Sequence, residues 1–283
     1  MTGNLAEMRQ TTALGLAPTV YPDAAVFDRE LRELFGHSWL LVGRADEIAE
    51  VGAFFTWQRT RIPFVLIRAV DGQIRAFYNS CRHRGAPVVR TPTGRARAFR
   101  CQYHSWTYDT FGRLLAVPDE RDFGEVDRCA YFLVPLPVTE LGGWLWVNQD
   151  RSAATLAQTL GPAAAELERL GAGLRSTERE VVTVDSNWKP VVERLADFAA
   201  NPSSAGGRMV VSQLPNLFFI ETPAELQAVA AWPVDEATTS VEVVRCANGP
   251  SAADDPAWQA GWDDLDARLQ LALGWTRHAD SPA

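Results

Sequence analysis

Asn79-Ser80-Cys81-Arg82-His83-Arg84-Gly85 and Cys101-Gln102-Tyr103-His104-Ser105-Trp106-Thr107-Tyr108 each carry one Cys and one His, and seventeen residues separate His83 from Cys101. Two thiolates and two imidazoles delivered as matched pairs suit a [2Fe–2S] centre in which two cysteines hold one iron and two histidines the other. Imidazoles in place of two thiolates leave such a centre less negative, so it accepts an electron more readily than an all-cysteine one. Zinc is the competing reading, because two Cys and two His are also a zinc set. Zinc fingers, however, pair like with like, a Cys pair followed by a His pair. Each segment here mixes the two, which favours a one-electron centre.

Composition frames that reading. With 283 residues and 47% hydrophobic content, the chain can bury one or two cores without disulfides. Of four cysteines, Cys129 and Cys246 are left over, and both are expected as buried thiols rather than a bridge. Residues 1–24 lack the basic start and apolar run of a signal peptide, and no later stretch reads as a membrane span, so a cytoplasmic location is expected. A net charge of −8 argues against a nucleic-acid partner. The only other histidines are His37 and His278, so a second metal site would be poor in imidazole.

The surrounding chain reads as an α+β protein. A helix is expected within 22–38, with Asp23 as N-cap, because Val26, Phe27, Leu31, Leu34 and Phe35 recur at helical spacing. Strands follow at 39–42, 53–58, 63–69 and 74–78, with Asp71-Gly72 as a hairpin turn between the last two. Thr91-Pro92-Thr93-Gly94 and Phe111-Gly112 read as turns, 96–99 as a strand feeding Cys101, and 143–148 as a closing strand. Past Asp150 the character changes: a helix over 153–170, a strand over 179–186, a helix over 187–200, strands at 210–213, 216–221, 226–231 and 240–246, and a last helix over 257–273. This divides the chain into an N-terminal helical segment (1–37) packing on the C-terminal domain, an antiparallel β domain (38–150) with the paired ligands at its tip, and an α+β domain (151–283).

Tyr21-Pro22-Asp23, Ser38-Trp39-Leu40-Leu41-Val42-Gly43-Arg44 and the two ligand segments together resemble the α subunit of Rieske non-haem iron oxygenases, the ring-hydroxylating and demethylating family. Gln102 and Ser105 depart from it, since the family usually has Pro and Gly there. Respiratory Rieske proteins carry an extra disulfide-linked Cys in each loop; the matching residues are Ala86 and Tyr103, which favours the oxygenase type. The resemblance implies a Rieske [2Fe–2S] domain followed by a helix-grip (Bet v 1-like) domain. It makes Cys81, His83, Cys101 and His104 the cluster ligands, with Trp106 and Tyr108 covering the cluster and tuning it.

The same resemblance calls for a mononuclear Fe(II) held by two His and one carboxylate. Asn187-Trp188-Lys189, Glu193 and Asp197 keep step with the family's iron segment, and Lys189 is the only lysine of the chain. The family's two His ligands fall on Ala200 and Ala205, which bind no metal. Few residues then separate Ala205 from Leu214-Pro215-Asn216, so the substrate-pocket stretch reads as shortened, a natural pseudo-site more than a double substitution to alanine. Asp263, Asp264 and Asp266 are where a third ligand would be sought.

In the family, three subunits form a ring, and each cluster serves the iron of its neighbour through an interface acid, whose place Asp197 holds. The expectation is an electron-transfer subunit passing electrons from a ferredoxin or flavin reductase to the iron of a paralogous catalytic subunit. A structural or regulatory subunit, and a complete oxygenase using Glu193, Asp197 or Asn201, are the alternatives. Arg82, Arg84, Arg90, Arg95, Arg97 and Arg100, with no acid among them, read either as a docking face for an acidic redox partner or as a solvated loop face or subunit contact.

Overall fold

The computed structural model describes residues 21–118, 120–122, 126–200, 208–213, 215–223 and 225–248. Its contacts separate one unit, Gly36–Leu156, from a second that joins the described residues up to Phe35 with those from Ala157 onward.

In the first unit Leu40–Arg44 (β1), Ala53–Trp57 (β2), Phe64–Arg68 (β3), Ile74–Tyr78 (β4), Thr93–Arg95 (β5), Ala98–Arg100 (β6), Thr107–Asp109 (β7), Leu114–Ala116 (β8), Pro135–Leu136 (β9), Val138–Leu141 (β10) and Trp144–Val147 (β11) are antiparallel strands. They are ordered β1-β11-β10, β5-β2-β3-β4-β9 and β6-β7-β8. The turn at Asp71-Gly72 works as its residue types predict. Gly72 takes φ +80°, and the Asp71 carboxylate accepts from Gln73 N at 3.1 Å, which sets Arg68 opposite Ile74. Phe54, Ile67, Phe77, Phe99 and Trp106 share one core with Cys81 and Cys101. Both ligand thiols are therefore core side chains, withdrawn from water.

Two expectations for this unit are corrected. Thr93-Gly94 is not a turn but part of edge strand β5, with Gly94 opposite Phe54. Gly94 is needed there because a Cβ would stand 2.7 Å from Phe54 Cζ; the glycine marks a close approach. Cys129 is exposed rather than buried, on a 3-10 turn at Arg128–Tyr131 capped by Asp127.

The second unit begins with Ala24–Arg29 (α1), capped by Asp23, whose carboxylate accepts from Ala25 N and Val26 N. The expected helix over 153–170 is two, Leu156–Leu160 (α2) and Pro162–Gly171 (α3). Gly161 at φ +56° and Pro162 at the first helical position end one and start the other. Arg175–Val184 (β12), Trp188–Ala200 (α4), Arg208–Gln213 (β13), Leu217–Glu221 (β14), Leu226–Pro233 (β15) and Thr239–Ala247 (β16) follow. Their antiparallel sheet runs β12-β16-β15-β14-β13. Trp188, Val191, Val192 and Leu195 are buried at helical spacing, the apolar stripe of α4, which packs on β13, β14 and β15. The class is α+β. The helix expected over 257–273 lies outside the described residues.

Candidate metal centre

The two ligand segments fold into loops built on one hydrogen-bond frame. Cys81 N donates to Ala86 O (2.7 Å), and Gly85 N donates back to Cys81 O (2.8 Å). Cys101 N donates to Trp106 O (2.9 Å), and Ser105 N donates back to Cys101 O (2.9 Å). The backbone frame is the same in both loops, spanning four and five residues from each Cys, while the imidazole comes two residues after Cys81 and three after Cys101. Asn79 clamps the first loop: its side-chain oxygen accepts from Val88 N and Val89 N, and its amide donates to Val89 O. The sequence quotes Asn79 within the motif without revealing this role. A polar residue abutting a ligand loop was the available signal.

The thiols of Cys81 and Cys101 are buried, whereas His83 is half-buried and His104 exposed. The imidazoles meet edge to face with centroids 4.5 Å apart. Trp106 stacks on His83 at 5.0 Å, and Tyr131, which sequence reading passed over, meets Trp106 edge-on at 5.3 Å. Tyr108 is buried with its hydroxyl 3.3 Å from Cys81 Sγ and accepting from Arg82 N at 3.1 Å. Once Cys81 is a thiolate, as a metal ligand must be, its sulfur can only accept, and the Tyr108 hydroxyl donates to it.

The electrostatics follow from burial. Desolvation pushes the Cys81 thiol up, against the hydrogen bond from Tyr108, and the neighbouring Cys101 adds to the rise. Desolvation also raises Tyr108. His83 is lowered by burial first, then by His104 and Arg84, so the neutral, metal-binding imidazole is favoured. The donors are paired thiol with thiol and imidazole with imidazole, the thiols inside and the imidazoles outward. That arrangement fits a [2Fe–2S] cluster with two Cys on one iron and two His on the other.

All six arginines, Arg82, Arg84, Arg90, Arg95, Arg97 and Arg100, are exposed. Arg90 lies over the Tyr103 ring at 4.9 Å, and Arg95 turns back to pair with Glu50. Beside the first loop a groove of about 510 Å³ is lined by Arg61, Arg82, Tyr78 and Ser80, among others.

The residues expected around a second iron are only partly placed. Asn187 caps α4 by accepting from Lys189 N (3.0 Å). The Glu30 carboxylate accepts from Lys189 Nζ and Trp188 Nε1, each at 2.9 Å, and Tyr21 donates to Glu193 Oε1 at 2.7 Å. Positions 197 and 200 lie in the last turns of α4. Asn201, Ala205, Asp263, Asp264 and Asp266 lie outside the described residues. Among the described residues, no three His, Cys, Asp or Glu side chains gather to hold a single metal ion, and no helix is long and apolar enough to cross a membrane.

Residues 38–135 match the family model of the Rieske [2Fe-2S] domain. The chain is 34% identical over 197 residues to biphenyl 2,3-dioxygenase subunit alpha of Rhodococcus jostii (strain RHA1), covering 68% of this chain and 43% of that protein. It is 37% identical over 181 residues to the glycine betaine monooxygenase oxygenase subunit of Chromohalobacter salexigens, covering 61% and 39%. It thus spans less than half the length of these curated relatives. In fold it is similar to the quaternary ammonium Rieske monooxygenase CntA in complex with L-carnitine, with TM-score 0.77 and 23% identity over 90% of this chain and 82% of that one. It is likewise similar to naphthalene 1,2-dioxygenase from Rhodococcus sp., with TM-score 0.71 and 21% identity over 94% and 79%.

Proposed function

Because this chain carries a Rieske [2Fe–2S] domain and is homologous to the α subunits of Rieske oxygenases, we propose that it is the electron-transfer subunit of a hetero-oligomeric oxygenase. In this reading Cys81, His83, Cys101 and His104 hold the cluster, and Trp106 covers it. When bound, the cluster takes up and releases one electron at a time. A ferredoxin or flavin reductase is the source, and the mononuclear iron of a paralogous catalytic subunit, in a ring built on three subunits, is the destination. The supporting observation is a complete set of paired cluster donors in a chain with alanine at position 200 of α4, where the family places an iron-binding His.

The chain's own residues have simple tasks. Core burial of Cys81 and Cys101 excludes water from the sulfur side. The outward imidazoles of His83 and His104 shorten the path to a partner. Asp197, on α4, is the candidate bridge to a cluster His of the neighbouring subunit. Glu193 is already engaged by Tyr21, which weighs against its service as an unconventional iron ligand.

Iron and acid-labile sulfide per chain, with the EPR spectrum after reduction, test the reading. About two irons and two sulfides with a Rieske signal are expected; a third iron, or hydroxylation by this chain alone given iron and reductant, overturns it. With the catalytic subunit present, His83→Ala is expected to abolish turnover. Undiminished turnover would make the chain a scaffold instead.

A further inference from the structure

The two ligand loops share one backbone frame, and one position in it is strained in the second loop only. The fourth residue after each Cys has left-handed backbone, Gly85 at φ +76° and Ser105 at φ +59°. Glycine adopts that conformation without steric cost. Ser105 does not, and it is the one non-glycine residue with positive φ among the described residues. Such a residue persists only where its surroundings hold it.

Three contacts do so. Ser105 N donates to Cys101 O, and Ser105 O accepts from Thr107 Oγ1 at 2.9 Å. Ser105 Oγ accepts from Arg100 Nη2, also at 2.9 Å. Arg100 and Thr107 are register partners where β6 meets β7 at the base of the loop. Both stems are thereby tied to Ser105, and its hydroxyl holds the Arg100 guanidinium to the loop. Glycine would keep the two backbone contacts and lose the third. In the first loop the equivalent residue has no side chain, and Ser80 Oγ bonds only its carbonyl.

We propose that Ser105 is a positioning residue for a charge: its hydroxyl fixes the Arg100 guanidinium against the second ligand loop, so that the cluster is easier to reduce than it would be with glycine there. This rests on the cluster assignment above. Reduction adds one electron, supplied by the donor protein, and one negative charge. A cation held on the loop that carries Cys101 and His104 stabilises that charge. An untethered, solvated guanidinium, averaged over many positions and screened by salt, does so less.

Midpoint potentials from EPR-monitored redox titration of the wild type, Ser105→Gly, Arg100→Gln and the double variant test it. Ser105→Gly is expected to shift the midpoint downward while fold stability stays near wild type, since relief of strain offsets the looser unfolded chain. Arg100→Gln shifts it at least as far, and the double variant matches Arg100→Gln. Ser105→Ala keeps the strain, loses the hydroxyl, and combines the lower midpoint with lower stability. Equal midpoints in wild type and Ser105→Gly overturn the proposal, as does the same downward shift in an Arg100→Gln background. Loss of the cluster in Ser105→Gly overturns it too, because Gly85 occupies the same place in the sister loop. A wild-type chain without a Rieske signal overturns the cluster assignment and this proposal together.

Discussion

Tyr108 carries a structural and a chemical task in one hydroxyl. Its ring fills the core beside the thiols, and its hydroxyl accepts from Arg82 N and stands 3.3 Å from Cys81 Sγ, to which it donates when that sulfur is a thiolate. Tyr108→Phe keeps the ring and removes the donor. Without that bond the electron-rich sulfur of the reduced cluster loses stabilisation, so the midpoint in a redox titration is expected to fall. Arg82 N is left without its acceptor, which costs about 1 kcal/mol in urea unfolding. A midpoint that does not move would show that the proton points elsewhere. At this scale the sequence is legible where chemistry is local: the Cys–His spacing singles out four candidate donors, and the structure brings the two imidazoles together and buries both thiols in one core. The Tyr108 hydroxyl bond was not legible, because β6–β7 pairing and core packing bring together residues 27 apart.

Among the elements, α4 and Glu30, the residue that caps the end of α1, show how a local signal acquires a distant partner. The apolar spacing of α4 and its Asn187 cap are readable from the sequence. The single lysine is equally visible, but Glu30, its partner 159 positions away, is not, since no local pattern encodes a tertiary ion pair. Lys189 is 1% exposed and Glu30 16%, so the pair is largely withdrawn from water. Lys189→Met leaves the carboxylate with the Trp188 N–H alone and is expected to cost about 3 kcal/mol in denaturant unfolding. Adding Glu30→Leu should recover most of that loss, because the charge that had become unpaired is gone. A single-variant loss no larger than that of an exposed pair would contradict this. Thr93-Gly94 and Gly161-Pro162 show the other limit of sequence reading. Glycine punctuates a chain in more than one way: Gly94 makes room for Phe54 within a strand, while Gly161 breaks a helix.

For the whole molecule, the informative contrast is between a net charge of −8 and a stretch, residues 79–108, that holds six arginines and no acid. An acidic electron donor meets repulsion over most of such a chain and attraction at the ligand loops, which orients the encounter. The structure sorts the arginines, all of them exposed: Arg95 pairs with Glu50 and Arg100 reaches Ser105, whereas Arg82 and Arg84 flank His83. Reversing those two, as Arg82→Glu with Arg84→Glu, is expected to slow bimolecular reduction by an acidic ferredoxin about tenfold or more at low salt. The wild-type rate should fall as ionic strength rises, and the variant's should fall less, because the attraction that salt screens has been removed. Arg84 also acts electrostatically on His83, so the substitutions change the cluster as well as the encounter. A small neutral reductant separates the two effects, since it senses the cluster potential but not the surface field. If ferredoxin reduction slows far more than reduction by the neutral reagent, the arginines steer a partner; if both slow alike, they only tune the cluster and the docking face lies elsewhere.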